Sequence, residues 1–302
     1  MTLRELLQEA ARLLASAEVE IPEQTARWVW QHVSGMAAHQ MILEEQREVD
    51  ASQAAKFWEL IRRREGREPL QYVLNEAEFA GLTFYVDHRV LVPRPETEGL
   101  VELAVADIKR RKYAHSGRTI TVMDWGTGSG AIAVALTIAC KADSQVQVIA
   151  TDISGDALDV AKENANRHGV GERIDFRLGD GFAALRTGAS GVAALTSDAG
   201  KIDLLLSNPP YIPTIDAPIL QPEVKDFEPH LALFAGKDGL DAYRMLADSA
   251  GDYLAQDATI MLEVGAGQAE LVENIFRTVF PAVSTNTFAD EQGILRIVKI
   301  QL

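Results

Sequence analysis

Apolar residues recur at helical spacing through the first part of the chain. Leu3, Leu6, Leu7, Ala10, Leu13 and Leu14 fall along one stripe of a helix. Thr2 can cap it, and Glu5 three residues on completes a capping box. Proline suits a first helical turn, so Pro22 opens a second helix with Ala26, Val29 and Val33 on one face. A third starts near Ala51, presents Ala54, Phe57, Trp58 and Ile61, and stops at Gly66. Together they predict a small helical domain over residues 1–70. The period then changes. Phe79, Leu82, Phe84 and Val86 alternate loosely about Gly81, which predicts a β-hairpin within a linker over 71–95.

The remainder, 96–302, alternates strand with helix. Val92-Pro93-Arg94-Pro95-Glu96-Thr97-Glu98, stiffened by its prolines, leads into a helix around Leu100 to Ile108. Short apolar runs predict strands near Ile120–Asp124, Val146–Thr151, Ile174–Leu178, Ile202–Leu206 and Thr259–Glu263. A last pair lies near Ala282–Phe288 and Ile294–Ile300. Helices fill most gaps, at about Ala131–Cys140, Gly155–His168, Leu240–Leu254 and Ala269–Val279. Such alternation implies an α/β fold: a mainly parallel seven-stranded sheet covered on both faces. The last two strands have no helix between them, so one of them runs antiparallel. Thr187–Gly200, rich in Ala, Gly, Ser and Thr, reads as a mobile surface insertion.

Two strand ends carry candidate chemistry. The first strand runs into Asp124-Trp125-Gly126-Thr127-Gly128-Ser129-Gly130. Glycines there let the backbone turn and approach a ligand, and the helix that follows offers free N–H groups. Asp152 ends the second strand, where a carboxylate can grip ribose hydroxyls. The loop also satisfies the dinucleotide fingerprint through Gly126, Gly128 and Ala131, so alone it fits a nicotinamide cofactor or S-adenosylmethionine. Asp124 favours the latter, since it repels a pyrophosphate and welcomes an ammonium or sulfonium. So does Asn208-Pro209-Pro210-Tyr211 at the end of the fourth strand. Two prolines hold that turn stiff, and its Asn suits a planar amide or amino group. After the third strand, Asp180, Gly181 and Phe182 lie where an adenine would rest; Asp180 can accept from its amine and Phe182 can pack nearby.

Composition narrows the partners. The net charge of −15 argues against a clamp on nucleic-acid phosphates. Lys109-Arg110-Arg111-Lys112 reads as a solvated helix end. The single cysteine, Cys140, excludes an internal disulfide and fits a reducing cytoplasm. The six histidines show no metal-ligand spacing, so no metal is expected. No apolar run is long enough for a membrane helix, and the N-terminus does not read as a signal peptide.

These motifs resemble those of the release factor glutamine methyltransferases, the PrmC/HemK family. The likeness spans the helical domain, Pro93–Glu98, Asp124–Gly130, Asp152, Asn208–Tyr211, Phe227-Glu228-Pro229 with Leu231-Ala232-Leu233, Gly239-Leu240, and Glu263-Val264-Gly265 with Gln268. Asn-Pro-Pro-Tyr is shared with enzymes that methylate exocyclic amines of nucleobases; the Arg94 and Glu228 segments are more particular to the glutamine enzymes. The resemblance implies a Rossmann-like class I domain that uses S-adenosyl-L-methionine to methylate the side-chain amide nitrogen of the Gln in the Gly-Gly-Gln loop of peptide-chain release factors. It implies cofactor binding by Gly126, Thr127, Gly128, Ser129, Gly130 and Asp152, with Asp180, Gly181, Phe182 and Asn208 nearby. It implies substrate binding by Asn208, Pro209, Pro210 and Tyr211. The expected chemistry is positioning: the Asn208 side-chain carbonyl and the Pro209 main-chain carbonyl each accept an amide N–H, while Tyr211 packs on the flat amide. Some members carry Trp where this chain has Gly181. The helical domain is expected to dock the release factor, and the protein to act as a cytoplasmic monomer.

Overall fold

The computed structural model describes residues 1–114, 117–186 and 201–302; the Thr187–Gly200 insertion expected from composition lies outside them. The chain divides into two compact units: Met1–Glu76 with Leu220–Phe227, and Ala77–Ile219 with Glu228–Leu302.

The first unit is helical: α1 (Leu3–Ser16), α2 (Pro22–Ser34), α3 (Ala38–Leu43), α4 (Ala51–Glu65) and α5 (Leu70–Leu74). The capping box forms. Thr2 Oγ1 accepts from the Glu5 N–H at 3.3 Å, and Glu5 Oε2 accepts from the Thr2 N–H at 2.9 Å. The apolar stripes of α1, α2 and α4 meet in one core that includes Leu6, Leu14, Val29, Phe57 and Ile61. α3 and α5 are too short to show a helical period, so sequence patterning does not reveal them. Leu220–Phe227 completes this unit through charge: Glu223 accepts from Arg67 Nε and Nη2, both at 2.7 Å, and pairs with Arg64 at 2.8 Å.

The second unit begins with the hairpin β1 (Ala77–Phe79) and β2 (Leu82–Phe84). Then follow α6 (Glu98–Ala114), β3 (Ile120–Trp125), α7 (Ala131–Ala139), β4 (Val146–Asp152), α8 (Gly155–Arg167), β5 (Ile174–Leu178) and β6 (Ile202–Ser207). The unit closes with α9 (Asp241–Ala250), β7 (Leu254–Glu263), α10 (Ala269–Val279), β8 (Ser284–Ala289) and β9 (Leu295–Gln301). The sheet order among the described residues is β5-β4-β3-β6-β7-β9-β8. β9 is the antiparallel member, paired with β7 on one side and β8 on the other. The helix expected to reach Leu254 ends at Ala250, because Leu254 already enters β7.

Alternate strand residues feed two cores. Val122, Leu204 and Met261 face one, with Leu100 and Ile108 of α6 and Ile132 and Leu136 of α7. Met123, Leu205, Ile260 and Leu262 face the other, with Tyr243 and Leu246 of α9 and Val272 and Phe276 of α10. Burial on both faces explains why the strands read as short, mostly apolar runs without strict alternation. The basic run on α6 is only partly solvated: Lys109 and Arg110 are exposed, but the run is also paired with acids. Arg111 is buried, bonded to Asp107 and Thr259, while Arg110 pairs with Asp107 and Lys112 with Asp143. No helix among the described residues is long and apolar enough to cross a membrane.

Candidate active site

The strand order reverses between β3 and β6, and ligands in such sheets bind at the carboxyl ends of the strands flanking that point. A cleft of about 460 Å³ opens there, within the second unit. Its walls include Gly126–Ser129, Asp152, Asp180 and Gly181, and Asn208–Pro210. The strap ahead of α6 adds Pro93, Arg94 and Thr97.

The glycine loop is pinned from below. The Gly126 and Thr127 N–H groups both donate to the Thr151 carbonyl at 2.9 Å. The Asn164 amide donates to the Ser129 carbonyl at 2.9 Å. Gly130 (φ +81°) lies so close to α8 that a Cβ would come within 3.1 Å of Ala161, so no larger residue fits without displacing that helix. Asp152 accepts the Gly128 N–H at 2.9 Å and the Ser154 N–H at 2.9 Å, and burial raises its carboxyl above the usual range.

Asp124 is the unusual member. One oxygen accepts from Thr127 Oγ1 at 2.6 Å and from the Ala133 N–H at 3.2 Å. The other is buried with no partner. Burial pushes its carboxyl up to about 7, and the nearby Asp152 adds to the rise while the two hydrogen bonds oppose it. That oxygen is a buried polar atom without a partner among the described residues, and Asp124 itself does not line the cleft.

At the other end Asn208 follows β6, fully buried up to Ser207. Asn208 Nδ2 donates to Thr97 Oγ1 at 3.1 Å, and Thr97 Oγ1 donates to Glu263 Oε2 at 2.5 Å. Gln268 braces the turn: its Nε2 donates to the Tyr211 carbonyl at 2.9 Å while its Oε1 accepts the Gly265 N–H at 3.0 Å. Arg94 donates to both oxygens of buried Glu228, at 2.9 and 2.7 Å. The two segments most particular to the family resemblance, 134 residues apart, thus close on each other as an ion pair.

Two expected residues sit elsewhere. Phe182 is 4% exposed, and its ring stacks on Tyr253 at 4.9 Å, inside the core and away from the cleft wall. An apolar ring after β5 gains more from the adjoining core than from a polar cleft. Beside Gly181 the chain supplies Trp125, whose indole Nε1 lies 2.7 Å from where a Cβ at 181 would stand. The tryptophan comes from the β3 end, so 181 must be glycine. Tyr211 also stays off the cleft wall. Its ring packs against Gly265 and the neighbouring core, where burial drives its hydroxyl up to about 12.

Thr97, Trp125, Glu263 and Gln268 were not among the site residues expected from sequence. All four lie inside the resembling segments, but nothing in the linear order shows that 97, 208 and 263 meet.

Residues 5–74 match the family model described as the PrmC N-terminal domain, and residues 116–223 match one described as a methyltransferase domain. The chain is 37% identical over 298 residues to the release factor glutamine methyltransferase of Geobacter sulfurreducens, covering 98% of this chain and 95% of that one. It is 39% identical over 279 residues to the protein of the same name from Moorella thermoacetica, covering 92% and 91%. Among solved structures, the N-terminal domain of human METTL16 in complex with SAH is similar in fold, with TM-score 0.50 and 15% identity over 90% of this chain and 93% of that one.

Proposed function

The chain belongs to the release factor glutamine methyltransferase family, and we infer that it transfers a methyl group from S-adenosylmethionine to the side-chain amide nitrogen of the Gln in the Gly-Gly-Gln motif of peptide-chain release factors. One observation carries this: the glycine loop with Asp152 and the Asn208-Pro209-Pro210 turn line a single cleft.

The residues present fit the cofactor. The partnerless Asp124 oxygen lies beneath the glycine loop and suits a ligand ammonium. Asp152 stands at the β4 end for ribose hydroxyls, and Asp180 with the Trp125 indole walls the adenine end. Bound there, the cofactor supplies an electrophilic methyl group on a sulfonium.

The protein's part is to aim a poor nucleophile. An amide nitrogen's lone pair is delocalised into its carbonyl. Asn208 Oδ1 and the Pro209 carbonyl accept the two N–H bonds, which orients the nitrogen and draws electron density onto it. As positive charge grows there, both acceptors bind it more tightly, so they favour the transition state over the substrate. The main-chain carbonyl of Tyr211 is held by Gln268, which keeps the turn in place, while its ring packs beside Gly265.

The helical unit is the proposed dock for the release factor. The protein acts as a monomer in the cytoplasm in this reading. A nucleobase amine is the competing substrate, disfavoured by the net charge of −15 and by the pairing of Arg110, Arg111 and Lys112 of α6 with acids.

Labelled cofactor incubated with a purified release factor is expected to label it, and a Gly-Gly-Gln→Gly-Gly-Ala variant to stay unlabelled. Label on the variant, or on RNA alone, overturns the reading. Asp152→Ala is expected to weaken cofactor affinity with little change in turnover at saturating cofactor; unchanged affinity by calorimetry removes Asp152 from the site.

A further inference from the structure

We propose that the buried pair Thr97 and Glu263 is a positioning relay that sets which face of the Asn208 amide meets the substrate. The inference rests on the amide-methylation reading above and concerns groups that reading leaves unassigned.

Proton count fixes the direction of each bond. Thr97 has a single hydroxyl proton. With Glu263 ionised, that proton goes to Glu263 Oε2, 2.5 Å away. Thr97 Oγ1 is then only an acceptor toward its other neighbour. Asn208 must offer it Nδ2, at 3.1 Å, and so turns Oδ1 the other way, free to accept from a substrate amide. Thr97 is 4% and Glu263 2% exposed, so water does not substitute for either link. The three residues come from the strap before α6, the end of β6 and the end of β7.

The relay reverses when Glu263 takes up a proton. Glu263 then donates to Thr97 Oγ1, and the threonine proton is free to reach Asn208 Oδ1. The amide can flip and present NH₂ to the substrate's own NH₂, which cannot bind it. The surroundings of Glu263 bring this change near neutrality. Burial is the main cause that raises its carboxyl to about 7, helped by Glu96 of the same strap. The Thr97 hydrogen bond, Arg296 of β9 and Arg94 of the strap oppose the rise. Tyr211 and Tyr243 are the other titratable neighbours; both stay neutral, and the Tyr243 hydroxyl donates to the Glu263 main-chain carbonyl at 2.8 Å.

The test compares wild type, Thr97→Val and Thr97→Ser on a release factor at saturating cofactor across pH 5.5–8.5, with cofactor affinity measured alongside. Wild-type kcat is expected to fall as pH drops through the region of 7. Thr97→Val, which keeps the shape and removes the relay, is expected to lower kcat roughly tenfold or more at pH 8 and to lose the acid limb. Thr97→Ser is expected to restore both, and cofactor affinity at pH 8 to stay within about twofold in each. Near-wild-type kcat in Thr97→Val, or an acid limb surviving in it, overturns the relay. If Thr97→Val does not fold, the profile of wild type alone decides: a kcat independent of pH between 6 and 8 also overturns it. A wild type that labels no release factor refutes the amide-methylation reading instead, so the two failures are distinct.

Discussion

Asn208→Ala is expected to lower turnover by roughly 10²–10³, a loss of about 3–4 kcal/mol in transition-state stabilisation, with little change in cofactor affinity. The cause is local. The substitution removes the acceptor that strengthens as charge develops on the substrate nitrogen. It leaves the glycine loop, Asp152 and the Trp125 indole in place. Thr97 can still donate to Glu263, so the buried pair keeps its bond and folding is expected to survive. Asn208→Asp sharpens the comparison. It keeps an acceptor but cannot donate to Thr97, and it sets a second carboxylate against the buried Glu263 hydroxyl link. Single-turnover transfer to a release factor, beside calorimetric titration with cofactor, reads both effects. An alanine variant with near-full turnover and intact cofactor binding would falsify the acceptor mechanism.

Asp124→Asn is expected to weaken cofactor binding by about 10–100-fold at pH 8 and to stabilise the ligand-free protein. Asn is isosteric, and its oxygen can keep the bonds from Thr127 and Ala133, so the loop stays in place. What is lost is a buried charge without a counter-charge. The sign follows from the direction of the shift. The carboxyl titrates near 7 in the folded protein, above its ordinary 3.8, so ionising it disfavours the folded state. That cost is absent below about pH 4, grows between 4 and 7, and is complete above 7, on the order of a few kcal/mol. Thermal unfolding of both proteins at pH 8 and pH 5 measures it. The variant's advantage at pH 8 should shrink at pH 5. An advantage equal at both values removes the buried-charge cost, and unchanged affinity removes Asp124 as the ligand's counter-charge.

Much of the architecture was legible because buried parallel strands and amphipathic helices leave strong periods in a sequence. Ile120–Trp125 and Ile202–Ser207 are mostly apolar and buried on both sides because both faces of the sheet are covered. α1, α2 and α4 announce themselves through caps and stripes. The misses have one kind of cause. The last turn of the helix expected to reach Leu254 and the start of β7 are both apolar, and periodicity does not separate a helix end from a buried strand. Phe182 reads from its position as a cleft residue, yet its ring finds Tyr253 and the core. Arg111 reads as a solvated charge, yet it is buried between Asp107, one helical turn before it, and Asp257, 146 residues after it. The return of Leu220–Phe227 to the helical unit rests on Glu223 meeting Arg64 and Arg67, a pairing between ordinary surface residue types.

The stiff Asn-Pro-Pro turn, the glycine loop and the acid at the second strand's end are properties of local chemistry: fixed φ angles, missing Cβ atoms and a strand that must stop. These were present in the chain before any contact formed. Their work as one site depends on sheet order, which brings positions 126, 152 and 208 to one edge. The direction in which Asn208 faces depends on more distant neighbours still. A single proton shared among residues 97, 208 and 263 has no trace in linear order, because hydrogen bonds between remote segments exist only once the backbone has closed around them.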